Sequence, residues 1–288
     1  RRTRRWGIFF KVLGFLYLSF ILVMISGWFN GDVNKLGKHT ALIDLQGVIA
    51  SDQANADMMI KGLEDAFEDK NTQGVIMRIN SPGGSPVQAG QINDEIRRQR
   101  ALHPQIPLYV VVDDICASGG YYVAVAADKI FVDKASLVGS IGVLMDGFGF
   151  TQTMDKLGVE RRLITAGENK GFLDPFSPAD PKQALYAKQM LEEIHAQFIQ
   201  VVRQGRGKRL KETPETFSGL VWSGQKSVEL GLADGFGSVE SVARDVIKAK
   251  EIVDFTPQEG LADRLAGKFG VVMAKLFNPA AETGIKLR

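Results

Sequence analysis

Residues 107–113, with the sequence PLYVVVD, place the strongest constraint on the fold of this chain. An uninterrupted apolar strand of this kind is typical of a parallel sheet that is covered on both faces. Strand-like runs at residues 40–50 and 74–80 flank an amphipathic segment at residues 54–69. Because strands alternate with helical patterns, the sequence predicts an α/β fold with a largely parallel sheet.

The same alternation continues toward the C-terminus. Ser85 has the character of a helix N-cap with Pro86 at the first helical position, so a helix is expected from there to about residue 100. Further strands are expected at residues 129–133, 140–144 and 159–165, and helices at residues 121–127, 150–157 and 181–204. The last helix has a predicted buried stripe of Leu185, Met190, Leu191, Ile194, Phe198 and Val201.

The N-terminal region has the pattern of a membrane anchor. Residues 12–29 contain no charged side chain, and a helix crossing a bilayer needs about 20 apolar residues. Four arginines precede this stretch, and the positive-inside rule then keeps the N-terminus in the cytoplasm and the rest outside the cytoplasmic membrane, in the periplasm or its equivalent. A cleaved signal peptide is the alternative, although its apolar core would be shorter, about 7–15 residues.

Four segments are therefore expected. They are a cytoplasmic basic stub with a transmembrane helix (residues 1–29), a juxtamembrane linker (30–39), a globular domain (40–255) and a C-terminal tail (256–288). Within the tail, residues 265–276 have amphipathic spacing. Such a helix could pack on a partner or lie on the bilayer, or it could simply be frayed.

Charge and composition argue against several functional classes. The net charge is +2, but residues 1–11 hold five positive charges and no acid, so the rest of the chain is slightly acidic and a nucleic-acid partner is not expected. The single cysteine, Cys116, excludes an intramolecular disulfide, and one cysteine with three scattered histidines does not make a zinc site. Carboxylates could still hold a metal, but none cluster at ligand spacing. No cofactor is expected.

The first motif that could support chemistry is NSPGGS at residues 80–85. Two glycines follow a strand and precede a capped helix, so backbone N–H groups can approach a ligand closely. Such groups could form an oxyanion hole, which stabilises the negative charge on a carbonyl oxygen under attack. The alternative is a tight turn with no further role.

The second motif is CASGG at residues 116–120, directly after the apolar strand. A small residue before a serine and two glycines after it suit a sharp turn that exposes the hydroxyl of Ser118 as a nucleophile. The motif is not the G-x-S-x-G of α/β-hydrolases. In the alternative interpretation, Ser118 simply caps the following helix.

A serine nucleophile needs a base. His39 abuts the membrane linker, His103 lies in a helix-to-strand loop and His195 lies in the middle of a helix, which leaves a Ser-His-Asp triad open but unsupported. A lysine can replace histidine if burial lowers its pKa by about 3 units. Lys170 is a candidate because it follows a predicted strand in the glycine-containing loop of residues 166–171; the alternative is an ordinary surface lysine.

Together with GSIGV at residues 139–143, the motifs NSPGGS and ICASGGYYVA (residues 115–124) resemble the signal peptide peptidase A family in its short bacterial form. The resemblance runs from about residue 40 to residue 250 and includes the N-terminal anchor. It implies a ClpP/crotonase-like fold of stacked strand-strand-helix turns, a Ser-Lys dyad and a membrane-tethered, ring-like homo-oligomer.

The resemblance also assigns roles to residues of this chain. Ser118 corresponds to the nucleophile, Lys170 to the base and Ser140 to a serine that orients the lysine, while the N–H groups of Gly84 and Gly119 correspond to the oxyanion hole. The implied activity is that of a serine endopeptidase acting on apolar peptides such as signal peptide remnants, with serine and lysine possible from neighbouring subunits. The alternatives are an inactive membrane scaffold of the same fold and a crotonase-type acyl-CoA enzyme.

Overall fold

The computed structural model describes residues 2–25, 37–51 and 54–257. Residues 38–256 form one compact unit, and the N-terminal helix belongs to a separate unit. Of the expected tail, only residues 256 and 257 lie within the described chain, so the amphipathic stretch at residues 265–276 falls outside it.

Helix α1 (Arg2–Ile25) contains most of the apolar N-terminal stretch. Among the described residues, no helix has the length and apolar character needed to cross a membrane. The expected span of residues 12–29 continues past Ile25 into residues that are not described, as does most of the expected linker.

The compact unit contains eight strands and seven α-helices among its described residues. In chain order they are β1 (His39–Gln46), α2 (Ala56–Glu68), β2 (Thr72–Ser81), α3 (Pro86–Leu102), β3 (Leu108–Ala117), α4 (Gly119–Ala124), β4 (Lys129–Val132), β5 (Leu137–Gly139), α5 (Thr151–Leu157), α6 (Pro181–Arg206), β6 (Val221–Ser223), α7 (Gly224–Glu229), β7 (Gly235–Phe236), α8 (Val239–Ser241) and β8 (Ile252–Asp254).

These strands form a single sheet in the order β6-β5-β3-β2-β1-β8, with β4 pairing both β3 and β7. Every pairing is parallel except that of β5 with β6. Strand β3 has two partners on one side, because Tyr109–Val111 pair with β4 and Ile115–Ala117 pair with β5. The prediction of an α/β fold with a largely parallel sheet is confirmed, and the architecture fits the ClpP-like fold that the resemblance implies.

The sheet is covered on both faces, as the apolar run in β3 predicts. Val110 and Val112 belong to the main core, whereas Val111 belongs to a smaller cluster on the other face. Alternate side chains of a strand point to opposite faces, so both faces of β3 are removed from water. Burial of each large apolar side chain stabilises the fold by about 1.5–3 kcal/mol.

The helix before the second motif begins as predicted. The side chain of Ser85 accepts a hydrogen bond from the backbone N–H of Gln88, and Pro86 occupies the first turn of α3. A proline costs nothing there, because the N–H it lacks would have no partner within the helix.

Two predicted strands are wrong. Residues 140–144 do not form a strand, because β5 ends at Gly139 and the φ angle of the next residue, Ser140, is 50°, which a strand cannot accommodate. Residues 159–165 are irregular and pair with no other strand. They belong to a segment, residues 143–180, that we call the exposed arm. The structure describes all of it, and none of its residues is buried.

The predicted buried stripe of α6 is only partly confirmed. Phe198 is buried in the main core, and Val202 beside it is buried as well. Leu185, in contrast, is 58% exposed, and most of the first turns of α6 around it are exposed as well. The helical periodicity was therefore correct, but the packing surface is shorter than the stripe.

Candidate active site

Ser118 lies at the sharp junction between β3 and α4. Its φ and ψ angles are 51° and −122°, a region that non-glycine residues rarely occupy. Its N–H donates to the carbonyl oxygen of Gly139 over 2.8 Å, and its own carbonyl accepts from the N–H of Tyr122 over 2.9 Å. The side chain makes no capping hydrogen bond, so the interpretation of Ser118 as a helix cap is not supported. Backbone strain of this kind is typical of functional turns.

The turn of Gly83 and Gly84 packs against Ser118. A Cβ atom at Gly83 would lie 2.7 Å from the Cβ of Ser118, and one at Gly84 would lie 2.2 Å from the carbonyl oxygen of Ile49. Both glycines also have positive φ angles, 104° and 149°. Ile49 fixes this turn, since its N–H donates to Gly83 and its carbonyl accepts from Ser85, each over 2.8 Å. Only glycine fits these two positions.

Gly84 and Gly119 bring two backbone donors to the same place. A Cβ atom at Gly119 would lie only 3.2 Å from the backbone nitrogen of Gly84. Neither N–H group has a hydrogen-bond acceptor within the described chain. Paired, unused donors beside a serine hydroxyl are the arrangement that an oxyanion hole requires.

A cavity of about 520 Å³ contains these groups. Ser118, Ser140, Gly84 and Gly119 all line it. The remaining wall is largely apolar and comes from α3, α4, α6 and the start of the exposed arm, with Pro86, Ala89, Tyr122, Val143, Leu144, Ile194 and Phe198. A site with apolar walls and a few convergent polar groups suits a peptide with apolar side chains.

Ser140 enters this cavity from a strained turn. Its φ angle is 50°, and its N–H donates to the carbonyl oxygen of Leu220 over 2.8 Å. The bond between Ser118 and Gly139 places this turn directly beside the nucleophile. A second cavity of about 520 Å³, near Arg78 and Asp113, holds none of the predicted site residues.

Lys170 does not lie in the cavity. It occupies a turn of the exposed arm, where its backbone N–H donates to the carbonyl oxygen of Gly167 over 3.1 Å, and it is exposed. The structure therefore brings together Ser118, Ser140 and the two oxyanion-hole glycines, and leaves the predicted base of the same chain outside.

The three histidines, all within the described chain, also do not line the cavity. His39 is buried in β1 and stacks on Phe255, while His103 follows the end of α3. The ring of His195 on α6 contacts the carbonyl oxygen of Ile141, with 3.1 Å between that oxygen and Nε2. This placement gives no support to a Ser-His-Asp triad.

The sequence model of a family described as Peptidase family S49 matches residues 100–253. This chain belongs to peptidase family S49. The matched region contains the strained serine and most of the cavity wall. Relatives that are named as proteases agree with a serine-type peptidase.

Individual relatives of this S49 peptidase cover different parts of it. A putative signal peptide peptidase SppA of Enterococcus faecium is 27% identical over 88% of this chain and 83% of its own length. A putative protease of Methanocaldococcus jannaschii is 30% identical over 74% of this chain and 69% of its own. A Brucella abortus protein named Na(+)/H(+) antiporter NhaA is 46% identical over 70% of this chain, which spans only 27% of that longer protein.

Sequence reasoning missed part of the site of this S49 peptidase. Ile194 and Phe198 were identified only as members of a packing stripe, and Gln197, Ser218 and Gly219 were not identified at all, yet all five line the cavity. Helical spacing indicates a buried face without indicating whether that face meets the core or a substrate. No local signal marks Ser218 and Gly219, which reach the site from a loop before β6.

Proposed function

We propose that this S49 peptidase is a membrane-anchored serine endopeptidase that uses Ser118 as nucleophile and Lys170 as base. Its proposed substrates are apolar peptides, including signal peptide remnants, at the outer face of the cytoplasmic membrane. One observation carries the proposal: a strained serine lies beside two unused backbone donors in an apolar cavity. This is the constellation that acyl transfer to a serine needs.

In the proposed mechanism, a neutral Lys170 takes the proton of Ser118, whose Oγ attacks the scissile carbonyl carbon. The N–H groups of Gly84 and Gly119 stabilise the resulting oxyanion. The lysine then protonates the leaving amine, and water hydrolyses the acyl-enzyme. Ser140 orients the lysine amine by a hydrogen bond.

The exposed position of Lys170 supports a dyad completed between neighbouring subunits of a homo-oligomer. The arm that carries it exposes large apolar side chains, with Phe148 77% and Ile164 95% exposed. Phe148, Phe150 and Phe176 lie in successive ring contact, and exposed apolar surface that is contiguous in this way marks interaction sites. A second copy of the chain that covers the arm would also remove the lysine from water, and burial favours the neutral amine that a base needs.

The proposed location follows from the N-terminus. Residues 12–29 carry no charge and follow a cluster of arginines, which favours an anchor with the catalytic unit outside the cytoplasm. The relative in Enterococcus faecium that is named as a putative signal peptide peptidase supports the substrate class. Anchoring would raise the effective concentration of substrates that remain in the same membrane.

The test is hydrolysis of a fluorogenic apolar peptide by the detergent-solubilised protein. We expect turnover by the wild type, none by Ser118→Ala or Lys170→Ala, and full turnover by Lys156→Ala, which removes another exposed lysine of the same arm. Size exclusion should show the same oligomer for all four proteins. A wild type that neither cleaves peptides nor reacts with a fluorophosphonate at Ser118 would favour the inactive scaffold.

Anchoring is tested separately by alkaline extraction of cell membranes. The proposal expects the chain to remain in the lipid fraction. Release into the soluble fraction would refute the anchor and leave the peptidase assignment intact.

A further inference from the structure

The contact between His195 and Ile141 joins helix α6 to the turn that carries Ser140. The Nε2 atom of His195 lies 3.1 Å from the carbonyl oxygen of Ile141. Because a carbonyl oxygen only accepts hydrogen bonds, Nε2 must carry a proton and donate it. The ring is half-buried, and its neighbours Ile194 and Phe198 line the cavity. His195 thus sits behind the cavity wall rather than inside it.

The turn that it contacts is strained. Gly139 and Ser140 have consecutive positive φ angles, and a non-glycine residue keeps such a conformation only where surrounding contacts hold it. On the side of β5, two hydrogen bonds hold the turn. The N–H of Ser118 donates to the carbonyl oxygen of Gly139, and the N–H of Ser140 donates to the carbonyl oxygen of Leu220. On the far side, the N–H of Gly142 returns to the carbonyl of Ser140, which is a bond inside the turn itself.

On that far side, His195 supplies a side-chain hydrogen bond from outside the turn, in addition to the burial of the Ile141 side chain. Ile141 is fully buried, whereas Leu144, three residues later, is 79% exposed. The contact with His195 therefore stands at the point where the chain leaves the core and becomes the exposed arm.

We propose that His195 is a positioning residue for the peptidase reaction, in that its donation to the Ile141 carbonyl holds the Ser140 turn in place beside Ser118. The inference rests on the proposed function, in which Ser140 orients the lysine amine. His195 does not line the cavity, so it acts through the Ser140 turn and not on the substrate.

In this proposal, His195 holds the Ser140 turn through the hydrogen bond that its Nε2–H donates, and the imidazole ring has no other role. Both the neutral Nε2–H tautomer and the imidazolium ion donate from Nε2. A glutamine side chain can place an amide N–H near the same point, whereas leucine fills similar space and donates nothing. Comparing these two substitutions separates hydrogen bonding from packing.

The experiment uses the full-length oligomer and four proteins: wild type, His195→Leu, His195→Gln and Glu193→Ala. Glu193 is an exposed residue of the same helix and serves as the matched control. We would measure kcat and KM with the fluorogenic apolar peptide, and the rate of fluorophosphonate labelling of Ser118. All assays run well below the thermal unfolding midpoint of each variant.

We expect His195→Leu to lower kcat and the labelling rate by about tenfold or more with KM little changed, since small displacements of catalytic groups have large effects on rate. His195→Gln should retain both to within about threefold, and Glu193→Ala should match the wild type. A merely structural histidine would not be rescued by glutamine in kcat and labelling together.

Three results would overturn the inference. His195→Leu could keep wild-type kcat and labelling, His195→Gln could be as impaired as His195→Leu, or KM alone could rise, which would assign His195 to the substrate wall. Each leaves the wild-type peptidase active, so the proposed function survives. A wild type that neither cleaves nor labels would overturn both.

Discussion

The backbone N–H of Ser118 donates to the carbonyl oxygen of Gly139 over 2.8 Å, and this bond joins the nucleophile turn to the turn that carries Ser140. The two turns end β3 and β5, which are paired neighbours in the sheet. A displacement of either strand end therefore changes the distance between both serines and the oxyanion-hole donors.

Gly119→Ala should impair catalysis more than stability. The new Cβ would lie 3.2 Å from the nitrogen of Gly84, a tight contact that a shift of a few tenths of an ångström relieves, and Gly119 does not have a positive φ angle. Such overpacking costs about 1 kcal/mol. Because the shift moves an oxyanion-hole donor, kcat should fall roughly 100-fold. Peptide hydrolysis and a thermal melt measure the two effects.

The matched control for that substitution is Gly90→Ala in α3. No atom lies within 4 Å of a Cβ placed there, so the change should leave kcat unaltered and stabilise the helix by up to about 1 kcal/mol. Alanine keeps the backbone N–H, so a wild-type kcat for Gly119→Ala would mean that the added Cβ does not displace this donor from its working position.

Co-expression of Ser118→Ala with Lys170→Ala should restore peptide hydrolysis. Lys170 lies outside the cavity of its own chain, so an intact serine in one subunit could pair with an intact lysine in the next. In a ring with one type of contact, random mixing gives about one quarter of wild-type activity. Each variant alone, and either variant mixed with the double mutant, should be inactive. Complete inactivity of the mixture would place both residues of the dyad in one chain.

Asp234→Asn should destabilise the fold and change its acid sensitivity. Arg206, which is 1% exposed, donates two hydrogen bonds to the Asp234 carboxylate, and Ile130 and Arg209 donate to it as well. Burial alone would raise the pKa of Asp234, but the hydrogen bonds and charge of Arg206, with the Ile130 N–H and Arg209, outweigh it and lower the pKa. Removing one partner of such a buried pair costs about 3 kcal/mol.

The sign of the pH effect follows from the lowered pKa. The stabilisation is present above the ordinary aspartate pKa and is lost as pH falls through the lower folded-state value. Urea unfolding at neutral pH and at about pH 3 should therefore show a larger loss of stability for the wild type than for Asp234→Asn. Equal losses would mean that Asp234 does not contribute to acid unfolding.

Cys116 should be chemically silent in the folded protein. It is fully buried two residues before the nucleophile, and burial raises the pKa of its thiol, so the reactive thiolate is scarce. Iodoacetamide should leave the native protein unmodified and alkylate it after denaturation, and Cys116→Ala should retain activity. Rapid alkylation of the native enzyme would show that the turn opens.

The parts of the site that local chemistry determines could be predicted from the sequence. Ser85 and Pro86 at the start of α3, the glycines at positions 83 and 84, and the small residues around Ser118 are each favoured by the local backbone conformation. The buried strand at residues 107–113 could be predicted because an unbroken apolar run has few other places in a folded domain.

The parts that depend on distant packing could not. Residues 159–165 and Leu185 have apolar patterns that indicate burial, yet the single chain leaves them exposed. A pattern reports that a surface needs covering and does not report which molecule covers it. Lys170 is a similar case. The resemblance assigns it to the site, but its distance from Ser118 depends on where the exposed arm packs, which the sequence does not reveal.

Strand β1 pairs not only with β2 but also with β8, so the catalytic unit closes where its two ends meet. The hydroxyl of Thr40 donates to the carbonyl of Ala249, 209 residues later. At cellular rates of translation, roughly 10–40 s pass between the synthesis of β1 and the synthesis of the segment that contains Ala249 and β8. Until then one edge of β1 is open to mispairing with other chains. The rate of translation thus sets the shortest time for which this edge of the sheet stays open.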